Sequence, residues 1–257
     1  MKKLMTILTV AVVMAGISVR AAELTADEIV AKANEAAYYA GNDGHATVSM
    51  KLSDGRSRDF VILRKDAAKG LDQKFYVYFK SPSDVRKMAY LVHKRPGKDD
   101  DRWLFLPALN LVKRIAPGDK RTSFVGSDFL YEDVSGRGLE EDTHELVETT
   151  DTQYVISNIP KDKSVKFKSY KVWIDKDTFL PRKAEYIDKN GKVYRRITSG
   201  EIKTIQGHPT PTVQTAEDLN RGTKTTITFG DIKYDIGLKD RIFTERFLRR
   251  PPREVTR

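Results

Sequence analysis

Four histidines, His45, His93, His144 and His208, are the side chains whose type suits proton transfer or metal ligation near neutral pH. None lies at metal-ligand spacing from a carboxylate or a second histidine, so the spacing builds no zinc site. The run Asp99-Asp100-Asp101 has the charge for calcium but lacks the spaced ligands and the glycine of a calcium loop; a solvated turn ahead of a strand accounts for it. Ser123, Ser127 and Ser135 sit near glycines, yet none is embedded in a nucleophile elbow. Asp128, Glu132 and Asp133 form an acidic group that acid–base chemistry could use. A short helical turn capped by Ser127 or Asp128 explains the same residues without a reaction. No glycine-rich phosphate loop is present, and the absence of cysteine excludes thiolate metal sites, disulfides and acylation of the chain itself. These residues point away from an enzyme and imply no cofactor.

The elements around them are mostly strands. One helix is marked by the Thr25-x-x-Glu28 capping box, with Leu24 and Ile29 as its hydrophobic staple. Ile29, Val30, Ala33, Ala37 and Ala40 continue at helical spacing, and Gly41 supplies a stop. From Gly44 onward the apolar period is two. Strands are predicted over 45–52, 57–65, 73–80, 88–93, 101–106, 109–115, 144–149, 153–159, 169–175, 178–187, 192–205, 210–217 and 224–234. The Asp54-Gly55 turn between the first two is the strongest hairpin signal. About a dozen antiparallel strands with short connections form a sandwich, a closed barrel or a strongly curved open sheet, and strand number alone does not choose. No composition break suggests a linker, so residues 22–257 read as one domain.

The first residues, MKKLMTILTVAVVMAGISVRA, place two lysines before an apolar run and small residues ahead of a cut after Ala21 or Ala22. That is the layout of a cleaved secretory signal peptide over residues 1–21. The formal charge of +10 becomes +7 when Lys2, Lys3 and Arg20 are taken away. Export makes nucleic acid an improbable partner, and a basic surface suits transient contact with anionic headgroups or an acidic dock.

The stretch from Asp101 to Val134 is the densest in large apolar residues. Trp103 and Phe105 point to one side of a strand while Leu104 and Leu106 point to the other. Both faces therefore need a cover, which a helix, the segment's own loop or a ligand would supply. WLFLPALNLVKRI and the GSDFLYEDV run from Gly126 resemble the signature of the LolA-like outer membrane lipoprotein-sorting family of bacterial envelope proteins. SPSDVRKMAYLV, VWIDKDTFLPRKAEYID and FTERFLRR resemble it in the same order.

The resemblance implies a mainly β fold with few helices: a curved antiparallel sheet forming an incomplete barrel, with helices packed in its concave side. It also implies a non-enzymatic periplasmic carrier that takes the acyl chains of a lipoprotein or lipid into an apolar concavity. Its expected partner is an envelope transporter of the RND/MMPL type. The alternative is a lipid-sensing regulatory module that grips a protein partner without transport. The expected acyl site comprises Phe75, Val77, Phe79, Trp103, Phe105, Leu106 and Leu109, covered by Ile29, Val30 and Ala33. A one-residue register error would move each strand residue to the opposite face. Lys113, Arg114, Lys120 and Arg121 are either rim charges or a solvated loop, and the basic, proline-broken stretch from Arg246 to Arg253 reads as a loosely held tail.

Overall fold

The structure is a computed structural model and describes residues 23–256; the expected leader and its cleavage site lie outside them. Thirteen strands form one sheet in which every pairing is antiparallel. Strands β1 (Asp43–Leu52), β2 (Ser57–Asp66), β3 (Gln73–Ser81), β4 (Ala89–Lys94), β5 (Asp101–Leu106) and β6 (Leu111–Ile115) meander from the centre to one edge. The chain then crosses to the far edge. It returns through β7 (Asp142–Thr149), β8 (Gln153–Pro160), β9 (Phe167–Asp175), β10 (Pro181–Asp188), β11 (Val193–Ile205), β12 (His208–Asp218) and β13 (Thr223–Tyr234), which pairs with β1. β6 and β7 stay unpaired with each other, so the sheet is curved and unclosed.

The crossing segment between β6 and β7 fills the concave side of β1–β5. Its short helix α2 (Tyr131–Ser135) and the residues before it bring Phe124, Phe129 and Tyr131 against Val48, Phe60, Val77, Phe79, Tyr90 and Leu104. Phe124 is the hub, with ring centroids 6.2 Å from Phe60, 5.8 Å from Phe79, 5.7 Å from Tyr90 and 5.4 Å from Tyr131. Phe124→Ala would leave a void among four rings and should destabilise the fold by about 3–5 kcal/mol, read as a lower denaturant midpoint at constant slope.

The expectation of a loosely held C-terminal tail is not met. After β13 the chain runs back over the convex face, where Leu238, Ile242, Phe243, Leu248 and Val255 are buried against Val61, Leu63, Tyr76, Leu91 and Phe105. Two short helices, α3 (Arg246–Arg249) and α4 (Arg253–Thr256), keep the arginines outward and the apolar residues inward. Both faces of β5 are thus covered by protein: the crossing segment inside and the tail outside.

Helix α1 (Ala26–Tyr38) starts at the expected cap, with Thr25 N–H donating to Glu28 Oε2 at 2.8 Å. It ends before Gly41, which takes a left-handed φ of 67°. A Cβ there would stand 3.0 Å from that of Tyr234, so glycine fits both the turn and the close approach. The half-buried Arg64 guanidinium holds this end of the helix, donating to the carbonyls of Tyr38, Ala40 (2.6 Å) and Gly41 (2.7 Å). The other face of α1 packs Ile29 and Ala33 on Ile156 and Ile174 of β8 and β9.

Candidate functional site

Between α1, the crossing segment and the concave face lies a cavity of about 430 Å³. Its position follows from uneven cover. The crossing segment and the tail cover much of β2–β5, whereas the residues of β10 are half-buried along its whole length. α1 spans this thinner half and presents mainly small side chains, Ala33, Ala36 and Ala37, followed by Ala40 in the turn beyond it, so the space beneath is not filled. Met50, Phe60, Val77, Ile197, Ile227 and Phe229 form much of the apolar wall.

Much of the charged and phenolic part of the wall comes from the crossing segment and β8–β10, among them Glu132, Asp133, Arg137, Asn158, Tyr170 and Tyr186. Its ions are mutually paired. Arg137 reaches Asp142 at 2.7 Å, Glu141 at 2.8 Å and Glu132 at 3.3 Å, and Tyr170 donates to Asp142 at 2.8 Å. Arg195, stacked on the Tyr186 ring, pairs with Asp133. Lys120 and Arg121 turn inward to Glu132 (3.2 and 3.3 Å) and Glu141 (2.8 and 3.4 Å), which replaces the solvated-loop reading for both. Arg114 pairs with Asp101, and Lys113 stays exposed on the edge strand. Burial, with the nearby carboxylates Asp133 and Glu132, raises the phenols of Tyr38 and Tyr186 well above their ordinary range. Gly136 is required here, since a Cβ would stand 2.5 Å from the Tyr38 ring.

The four histidines have structural contacts. His93 bonds the Phe243 carbonyl at 2.8 Å, His144 bonds Asn158 at 2.7 Å, His45 lies 3.7 Å from Asp231, and His208 packs edge-on to Tyr234. Asp100 and Asp101 are ion-paired to Arg102 and Arg95 at 2.5 and 2.6 Å rather than solvated. Among the described residues no group of three or more His, Cys, Asp or Glu side chains is placed to hold a metal.

Of the expected acyl site, Phe75, Val77, Val30 and Ala33 line the cavity. Phe79 and Leu106 share the concave face but are packed into the aromatic cluster of the crossing segment. Ile29 is fully buried between α1 and β8–β9. Trp103 and Phe105 lie on the convex face under the tail. Register explains this: Phe75 pairs with Val92 and Val92 with Arg102, so Phe75 shares its face with Arg102 and Leu104, while Trp103 pairs with Leu91 opposite Tyr76. Leu109 lies outside β6, in a 3-10 turn ahead of Asn110 at φ 46°, and is 70% exposed. Sequence reading missed Ala37, Ile197, Phe229, Tyr38 and Tyr186. Their signal was the run of alanines on α1, which leaves room over whichever strands it covers.

A model of a family of uncharacterized proteins matches residues 71–250. A DUF1329 family protein from Desulfovibrio piger is 28% identical and superposes with a TM-score of 0.79 over 87% of this chain and 97% of its own. A candidate outer membrane lipoprotein-sorting protein domain from Vibrio parahaemolyticus is also 28% identical, with a TM-score of 0.79 over 88% and 98%. A LolA superfamily protein from Nitrosomonas europaea shares the fold at 21% identity and a TM-score of 0.67 over 88% and 100%. No curated protein matches the sequence. The chain therefore belongs to the family of uncharacterized proteins whose model it matches, and it is similar in sequence and in its unclosed, LolA-like sheet to the DUF1329 and lipoprotein-sorting-domain structures.

Proposed function

We propose that this protein is a periplasmic carrier that binds the acyl part of a lipid or lipoprotein in the cavity under α1 and passes it on without covalent chemistry. The observation that carries this reading is the 430 Å³ space, walled largely by apolar side chains and roofed by alanines. An alkyl chain entering it would gain about 0.8 kcal/mol per buried methylene, enough to compete with a bilayer over several carbons. The ion pairs of Glu132 and Asp133 favour binding over acid–base catalysis, because each carboxylate already has a cation. The lipoprotein-sorting description of the Vibrio neighbour supports a lipid or lipoprotein ligand; export, and an envelope transporter as the delivering or receiving partner, are part of the proposal.

Organic-solvent extraction of the purified protein followed by mass spectrometry should yield stoichiometric acyl lipid. An empty protein that co-purifies with a signalling receptor would favour the non-transport regulator instead. Ala37→Trp should place an indole in the cavity, because Ala37 is exposed and lines the cavity. Excluding even two methylenes costs about 1.6 kcal/mol, a roughly fifteen-fold loss of bound lipid. Unchanged lipid content in a folded Ala37→Trp protein would move the site elsewhere.

A further inference from the structure

Of the four tyrosines on the cavity wall, Tyr38 and Tyr186 are unlike Tyr170 and Tyr234, and unlike Tyr76 in the core, while Tyr234 shares a hydrogen bond with Thr210 at 2.9 Å. Tyr76 donates its hydroxyl to the Phe247 carbonyl at 2.7 Å, and Tyr170 donates to Asp142 at 2.8 Å. Tyr38 and Tyr186 are also deep in the protein, but among the described residues neither hydroxyl has a hydrogen-bond partner. Both residues remain partly accessible and line the cavity, so the surface they expose faces its interior. Each ring is backed by a cation, Lys94 5.1 Å from the Tyr38 centroid and Arg195 5.0 Å from that of Tyr186. These cations hold the rings in place while the hydroxyls keep their hydrogen-bonding capacity.

The charges around the cavity matter as much. Four basic side chains line it, and each has a carboxylate within 4 Å: Arg64 with Asp66, His45 with Asp231, Lys183 with Glu185 and Arg137 with Asp142. Arg195, behind the wall, is paired with Asp133. No lining cation is left over for a carboxylate or phosphate. A buried anion without a counter-charge costs several kcal/mol. An uncharged head with hydroxyl or ester oxygens meets no such penalty and can use both phenols.

Volume sets the tail. A dry apolar cavity of about 150 Å³ holds the six carbons of benzene, so by proportion 430 Å³ has room for roughly seventeen carbons. That is one long chain, not several.

We infer that the cavity selects a single-chain amphiphile with an uncharged, oxygen-bearing head, which the hydroxyls of Tyr38 and Tyr186 recognise. This rests on the carrier reading and narrows its ligand class. The test is displacement of the uncharged fluorophore N-phenyl-1-naphthylamine from the purified protein at about pH 8, where free carboxyls are ionised. The competitors are 1-palmitoylglycerol, palmitate and palmitoyl-lysophosphatidylglycerol. The monoacylglycerol should displace the dye at a concentration roughly tenfold or more below the two anions, as an unpaired buried charge requires. Tyr186→Phe and Tyr38→Phe keep the rings and should each weaken the monoacylglycerol by about two- to tenfold relative to the dye, the range for one hydrogen bond. Equal or tighter binding of either anion, or monoacylglycerol affinity unaffected in both variants, overturns the inference while leaving a lipid carrier standing. Failure of the dye and all three lipids to bind overturns the carrier reading and the inference with it.

Discussion

Raising the pH above about 10 should unfold this protein cooperatively, because the phenols of Tyr38, Tyr76, Tyr90, Tyr170 and Tyr186 are all pushed well above their ordinary range by burial. In the unfolded chain each ionises near 10, whereas in the fold each keeps its proton. The stability they contribute is fully present below that pH and is lost as pH rises toward their folded values. Each such group costs about 1.4 kcal/mol per pH unit, so five together cost roughly 7 kcal/mol per unit. Lys94 works in the opposite sense: burial depresses its ammonium, so it adds stability with rising pH up to the ordinary lysine value near 10.4 and nothing beyond. With a total stability of order 5–15 kcal/mol, the fold should fail within one or two units above pH 10. Circular dichroism and phenolate absorbance followed together make the check. Five of the eleven tyrosines should ionise only as the β signal collapses. Early ionisation of all eleven in an intact sheet would contradict the burial described above.

Much of the architecture is legible in the chain because β patterning is local. Each of the thirteen predicted strands corresponds to a strand of the sheet, most within two residues at each end, and the Thr25–Glu28 box begins the helix as read. The failure at Leu109 is equally local. Pro107 and the left-handed Asn110 interrupt the apolar run, so β6 begins two residues later.

The cavity was less legible because it is defined by what is missing. Apolar density drew attention to Phe79, Trp103, Phe105 and Leu106, yet dense side chains are the ones the protein itself fills, here with Phe124 inside and the C-terminal tail outside. Which segment covers which face depends on contacts across the whole chain, such as those that bring Leu248 and Val255 into one cluster with Phe105. Period-two patterning holds no information about that. Empty space appears where small residues face sparse cover, under Ala37 and over β10. Likewise Lys120 and Arg121 look like surface charges until Glu132 and Glu141 are brought to them by the fold.

Removing the chain after Gly237 should abolish folding, although the segment looks like a dispensable basic tail. Five side chains, Leu238, Ile242, Phe243, Leu248 and Val255, would vanish from the convex face. At about 1.5–3 kcal/mol each their burial sums to roughly 10 kcal/mol, as large as the stability of a typical domain. The loss also bares Tyr76, Leu91 and Phe105 to water, and removes the acceptor carbonyls of Tyr76 and His93. Insoluble or uncooperatively melting protein is the expected result, whereas a truncated chain with an unchanged melting temperature would show the tail to be passive. A gentler variant separates docking from bulk burial. Asp43 is buried at the start of β1, where its two carboxylate oxygens accept the N–H groups of Ile236 and Leu238, each at 2.8 Å, so it fixes the point at which the tail leaves the sheet. Asp43→Ala loses two charge-assisted bonds and should cost about 3 kcal/mol. It should also open the tail to protease while the sheet persists, so that cleavage falls first between residues 239 and 250.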